Sequence, residues 1–207
     1  MCGIICYVGL KDAKPILIEG LKRLEYRGYD SAGLAVQNGN EVSCFRELGK
    51  IANLEGLVND QPMKGTSGIA HTRWATHGEP SVENAHPQRD QMDNVFVIHN
   101  GIIENSYILK KQLEKRGIAF RSETDTEVLA QLIALYFDGD LTDAVRKTMG
   151  RVEGTFGLGV IHCDVPDQIV VARRGSPLII GVSDEGHFVA SDVSAMVRYT
   201  NKVVHLQ

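Results

Sequence analysis

No apolar run in this chain approaches the roughly 20 residues that a membrane-spanning helix needs. The apolar opening from Cys2 to Leu10 has no basic segment before it and no signal-type cleavage pattern after it, so a cytoplasmic location is expected. There is no surplus of basic charge. The net charge of −4 gives no reason to expect nucleic acid or an anionic membrane as a partner. The four cysteines, Cys2, Cys6, Cys44 and Cys163, form no CxxC pair and no disulfide-dense framework, so reduced thiols are expected. No metal-ligand spacing joins them to the seven histidines, and neither a metal nor another cofactor is expected. Repeats, low-complexity stretches, an evident linker and a P-loop are also missing. Tryptophan occurs once, at Trp74.

What is present suits one soluble domain: 207 residues, 43% hydrophobic and 23% charged. Cys2–Val8 reads as a strand, and Asp12–Leu24 as a helix on the spacing of Ile16, Leu17, Leu21 and Leu24. Ala32–Gln37 and Val42–Leu48 read as a hairpin across Asn38-Gly39-Asn40. Thr66–His71 and Val95–His99 are further strands, and Ser106–Arg116 is a helix stopped by Gly117. Thr124-Asp125-Thr126-Glu127 has the capping-box pattern before a helix to about Phe137, and a second helix spans Leu141–Met149. Phe156–His162, Gln168–Ala172, Leu178–Val182, His187–Ala190 and Val203–Leu206 read as successive strands. Grouped rather than alternating elements predict an α+β layered domain with antiparallel sheets.

The chain opens Met1-Cys2-Gly3-Ile4-Ile5. Removal of Met1 would leave Cys2 with a free α-amine beside its own thiol. A thiol is a strong nucleophile only as thiolate, and an α-amine titrates near a pKa of roughly 7.7–8.0, close to working pH. One residue would then hold both nucleophile and base. The bland alternative is a strand start with a packed thiol.

Four segments are richer in polar residues and glycine than their neighbours: Tyr26–Gly33, His71–Gly78, His99–Asn105 and Ser122–Glu127. Each lies at the end of an expected strand or the start of an expected helix, where scaffolds present functional groups. With the Cys-Gly-Ile start, they resemble the glutaminase domain of the class II glutamine amidotransferases, within the N-terminal nucleophile hydrolase superfamily. The likeness spans essentially residues 2–207 and is greatest to the branch that aminates fructose 6-phosphate.

The resemblance implies a four-layer αββα sandwich with two antiparallel sheets. It implies hydrolysis of L-glutamine to glutamate and ammonia through a thioester on Cys2, whose α-amine serves as base through a water. By the same resemblance the Asn100 carboxamide and the Gly101 N–H form the oxyanion hole. Arg73 holds the substrate carboxylate and Asp125 its ammonium. Trp74, Thr76, His77 and Gly78 belong to a loop that closes over glutamine, and Arg27 supports the nucleophile. The residue types suit these tasks: Arg offers a planar fork for a carboxylate, and Asn a neutral donor. Taken alone, Asn100-Gly101 also reads as a hairpin turn, Arg73 as a surface ion pair, Asp125 as a helix-start charge and Trp74 as core. A Cys–His dyad using His71, His77, His86 or His99 stays open. Gln88 departs from the family, which commonly has histidine there.

In that branch a C-terminal isomerase domain follows, which binds the sugar phosphate. It is absent from these 207 residues. A monomeric fragment of a homodimeric whole is expected. Three other readings remain: the glutaminase domain of an amidophosphoribosyltransferase-like enzyme, a self-cleaving hydrolase, and a non-catalytic domain that senses glutamine. The self-cleaving reading lacks a propeptide beyond Met1.

Overall fold

The apolar opening forms β1 (Gly3–Gly9), and its two faces serve two cores. Ile5 and Tyr7 point into a cluster with Leu17, Leu21 and Leu24. Ile4 and Cys6 point the other way, into a cluster with Ile69, Phe96, Ile98 and Ile161. Side chains alternate along a strand, so a strand apolar on both faces must be covered on both sides. The computed structural model describes residues 2–75 and 78–206, and shows what provides that cover.

One sheet contains β1, the hairpin β2 (Ser31–Asn38) and β3 (Glu41–Leu48), and β4 (Ser67–Arg73). The second contains β5 (Gln88–Arg89), β6 (Val95–Ile103), β7 (Gly154–His162) and β8 (Val165–Arg174) in sequence order. The chain then returns to the first sheet with β9 (Ile179–Ser183), β10 (Gly186–Ala190) and β11 (Val203–His205), completing the order β11-β9-β10-β1-β4-β2-β3. Neighbouring strands pair antiparallel in both sheets.

Helices α1 (Ala13–Leu24) and α2 (Ile51–Asn59) bury Leu17, Leu21 and Leu54 on the outer face of the first sheet. Helices α3 (Ser106–Glu114), α4 (Asp125–Tyr136) and α5 (Leu141–Met149) cover the second, around Val97, Leu129, Ile133 and Leu158. The Ile4–Ile69–Ile98 cluster fills the space between sheets. The result is the expected αββα sandwich. Among the described residues no helix is long and apolar enough to cross a membrane.

The local differences from the sequence reading have physical causes. Helix α2 was not anticipated: nine residues with an internal Gly56 make a weak helix alone, and burial of Ile51, Leu54 and Val58 stabilises it. The two-residue β5 was also missed. Strand β6 continues past His99 to Ile103 because its ladder with β7 runs through Asn100↔Gly157 and Gly101↔Phe156, so Asn100-Gly101 is not a turn. Only half of the capping box forms. Thr124 Oγ1 accepts the Glu127 N–H at 3.3 Å, while the Glu127 carboxylate binds the N–H groups of Arg121 and Ser122 at 2.9 and 2.6 Å.

Candidate active site

Cys2 precedes β1 on the face of Ile4 and Cys6, at the seam between the sheets. Its Sγ accepts the Trp74 N–H at 3.2 Å and donates to the Trp74 carbonyl at 3.4 Å. Its carbonyl accepts Arg27 Nε at 3.1 Å and Asn100 Nδ2 at 3.2 Å. Burial pushes the thiol up, and the Trp74 N–H offsets this only in part. The sulfur bonds found among the described residues run to the Trp74 backbone rather than to a histidine.

The register of β1 on β4, Gly3↔Thr72, brings Arg73 and Trp74 beside Cys2. The Tyr26–Gly33 segment braces the same strand end. Thr72 Oγ1 donates to the Gly28 carbonyl at 2.5 Å, and the Asp30 N–H donates to the Arg73 carbonyl at 3.2 Å. A Cβ on Gly28 would lie 2.6 Å from that Arg73 oxygen, so a larger residue would displace the strand. Arg27 is itself held by Asp192, 3.4 Å from Nη1, which also accepts the Tyr26 hydroxyl at 2.9 Å.

Asn100 and Gly101 reach Cys2 across the seam from β6. The Asn100 Oδ1 faces His71 Nε2 at 2.9 Å. Gly101 has φ +137°, a conformation other residues rarely adopt, and a Cβ there would collide with the Thr155 carbonyl.

The buried Arg73 guanidinium donates to the Gly78 carbonyl at 3.2 Å and the Glu79 carbonyl at 3.5 Å. Asp30 lies 4.0 Å from it. Asp125 opens α4, where a carboxylate is favoured by the helix N-terminus. Its Oδ2 accepts the Ile103 N–H at 2.8 Å, which turns the carboxylate toward the end of β6. A cavity of about 350 Å³ is lined by Cys2, Arg27, Arg73, Trp74, Asn100, Gly101 and Asp125. Trp74 forms part of its wall, half exposed and edge-on to Tyr29. Gly78 stands beside the site through its bond to Arg73, whereas Thr76 and His77 lie outside the described residues. Gln88, the departure from the family pattern, is buried and anchors the Glu83 and Ala85 carbonyls at 2.9 and 2.8 Å.

Several residues at the site were not singled out in the sequence. Thr155, Ser176 and Pro177 also line the cavity. Ser191 Oγ accepts the Ile4 N–H at 3.0 Å, next to the Asp192 that holds Arg27. Ser191 and Asp192 follow β10 directly, and only the pairing of β10 with β1 brings them to Cys2.

The glutamine amidotransferase domain family matches residues 71–198. The chain is 49% identical over 207 residues to the glutamine–fructose-6-phosphate aminotransferase [isomerizing] of Clostridium perfringens, and covers 100% of itself but 34% of that protein. It is 51% identical over 206 residues to the protein of the same name from Caldanaerobacter subterraneus subsp. tengcongensis, again spanning 34% of it. Thus the chain spans about a third of the length of these relatives. Among solved structures, the glutamine phosphoribosylpyrophosphate amidotransferase of B. subtilis, complexed with ADP and GMP, superposes with a TM-score of 0.82 at 29% identity, over 100% of this chain and 45% of that one. Fold and sequence agree, and the chain belongs to the glutamine amidotransferase domain family.

Proposed function

We propose that the chain hydrolyses L-glutamine to glutamate and ammonia at Cys2, as residues 2–207 of a glutaminase domain. The observation that carries this reading is the single cavity in which Cys2, Arg73, Asn100, Gly101 and Asp125 meet. With Met1 removed, the α-amine of Cys2 takes the thiol proton through a water, and the thiolate attacks the amide carbon. The negative oxygen formed is met by Asn100 Nδ2–H and the Gly101 N–H. The amine returns the proton to the leaving nitrogen, ammonia departs, and water hydrolyses the thioester to glutamate. Arg73 binds the α-carboxylate and Asp125 the α-ammonium, while Trp74, Thr76, His77 and Gly78 cover the substrate.

The deciding experiment is a glutaminase assay on protein whose intact mass shows loss of Met1, beside Cys2→Ala. Ammonia release that persists in Cys2→Ala would overturn the nucleophile. Glutamine binding without turnover would favour the sensing domain. In the longer protein, we propose that the ammonia aminates fructose 6-phosphate held by a C-terminal isomerase domain, as the names of the relatives suggest. Free ammonia is mostly protonated at neutral pH and then no nucleophile, so donor and acceptor must be linked by a shielded route. The phosphoribosyl alternative is favoured only by the structural likeness, at 29% identity against about 50% for the fructose-6-phosphate relatives.

A further inference from the structure

We propose that His71 is the positioning residue of the oxyanion hole, holding the Asn100 carboxamide in the one orientation that turns its NH2 toward Cys2. This rests on the glutaminase reading above and names a residue that reading does not use. His71 Nε2 lies 2.9 Å from Asn100 Oδ1 and 3.1 Å from the His99 carbonyl oxygen. A carbonyl oxygen only accepts, so Nε2 carries the proton. On the other side, Asn100 Nδ2 lies 3.2 Å from the Cys2 carbonyl, which also only accepts, so the amide nitrogen belongs there. The two backbone carbonyls assign the imidazole and the amide independently, and the assignments agree.

A flipped carboxamide would face its NH2 to the His71 N–H and its oxygen to the Cys2 carbonyl. Both bonds would be lost at once, and the hole would present an acceptor to a developing negative charge. His71 is fully buried on β4, with its Nδ1 unpartnered among the described residues, which suits a lone pair better than an N–H. Burial holds its pKa down to about 3, so the ring stays neutral in the tautomer the bond requires. The His86 ring packs against it, tilted by 34° with ring centroids 4.3 Å apart.

The test uses the full 207-residue chain with Met1 removed. His71→Leu keeps the volume and removes the donor, whereas His71→Gln can restore an N–H near the Nε2 position. Expected for His71→Leu is a fall in kcat of about tenfold or more, within the roughly 10²–10³-fold that loss of a whole hole donor costs. Its KM for glutamine and its glutamate affinity stay near wild type, and His71→Gln recovers most of the rate. In an Asn100→Ala background, His71→Leu adds little. Wild-type kcat in folded His71→Leu, a KM effect alone, equal losses in both variants, or full additivity with Asn100→Ala each overturns the proposal. Nitrogen-15 NMR of the wild-type ring is independent of any variant: it must show Nε2–H between pH 6 and 8, and an Nδ1–H tautomer overturns the proposal even if His71→Leu fails to fold. If the wild type itself releases no ammonia, the glutaminase reading fails instead, and the two failures are distinct.

Discussion

The backbone of Trp74 holds the sulfur of Cys2 from both sides, its N–H donating at 3.2 Å and its carbonyl accepting at 3.4 Å. Cys2 therefore rests on the segment that also carries Arg73, and movement of that segment reaches both at once. Burial raises the pKa of this thiol more than the Trp74 N–H lowers it.

Alkylation of Cys2 by iodoacetamide, without glutamine, should be slow at pH 7. It should rise with pH through 8 and 9, because only the thiolate reacts. Cys6 should stay unmodified in the folded protein, where full burial raises its pKa strongly. Peptide mass spectrometry of each thiol against pH checks this. Cys6→Ala, Cys44→Ala and Cys163→Ala should leave ammonia release near wild type, while Cys2→Ala abolishes it.

Asn100→Ala should lower kcat by about 10²–10³ with little change in KM, since the proposed oxyanion donor acts on charge present only in the transition state. Arg73→Ala and Asp125→Asn should chiefly raise KM. Asp125→Asn is preferred to alanine because its amide oxygen can still accept the Ile103 N–H, which alanine would leave buried and unpaired. Steady-state kinetics on the three variants decide the roles. An unchanged KM in Asp125→Asn, or equal use of an amide lacking the α-ammonium, removes Asp125 from its place.

Gly101→Ala should lose both activity and stability. Its φ of +137° strains any side chain, and the added methyl meets the Thr155 carbonyl. Urea unfolding should show a lower midpoint with an unchanged slope.

Stability should decline on mild acidification. His71 and His86 are fully buried with pKa values pushed down by burial, to about 3 for His71. The unfolded chain takes up their protons near a pKa of roughly 6.5, while the folded chain does not. The folded state is thus fully favoured above that pH and loses ground as pH falls below it. Each histidine contributes a slope of up to about 1.4 kcal/mol per pH unit. Urea midpoints at pH 7.5, 6 and 5 measure the trend, and His71→Gln should make it shallower.

Fructose 6-phosphate should neither bind the 207-residue chain nor change its rate of ammonia release. The sugar should stimulate turnover only where a second domain holds it, since two sites bias one another only when both are present. A glutaminase assay with and without the sugar tests this, and clear stimulation would place the sugar site within these residues.

By itself, the sequence determined the layers and the chemistry-bearing segments. Alternating apolar residues in β1 and the helical spacing of Leu17, Leu21 and Leu24 are local patterns, and local patterns survive in one dimension. The segments that carry Cys2, Arg73, Asn100 and Asp125 were likewise legible, through the family resemblance that their motifs hold. Only the tertiary structure decided which backbone atoms hold them. Trp74 meets Cys2 through the pairing of β1 with β4, and Ser191 through the pairing with β10. Asn100 faces His71 because the two sheets pack face to face. The bracing of Arg27 by Asp192 joins positions 165 residues apart. Such contacts depend on strand register and sheet stacking, long-range properties that no local pattern of residues encodes.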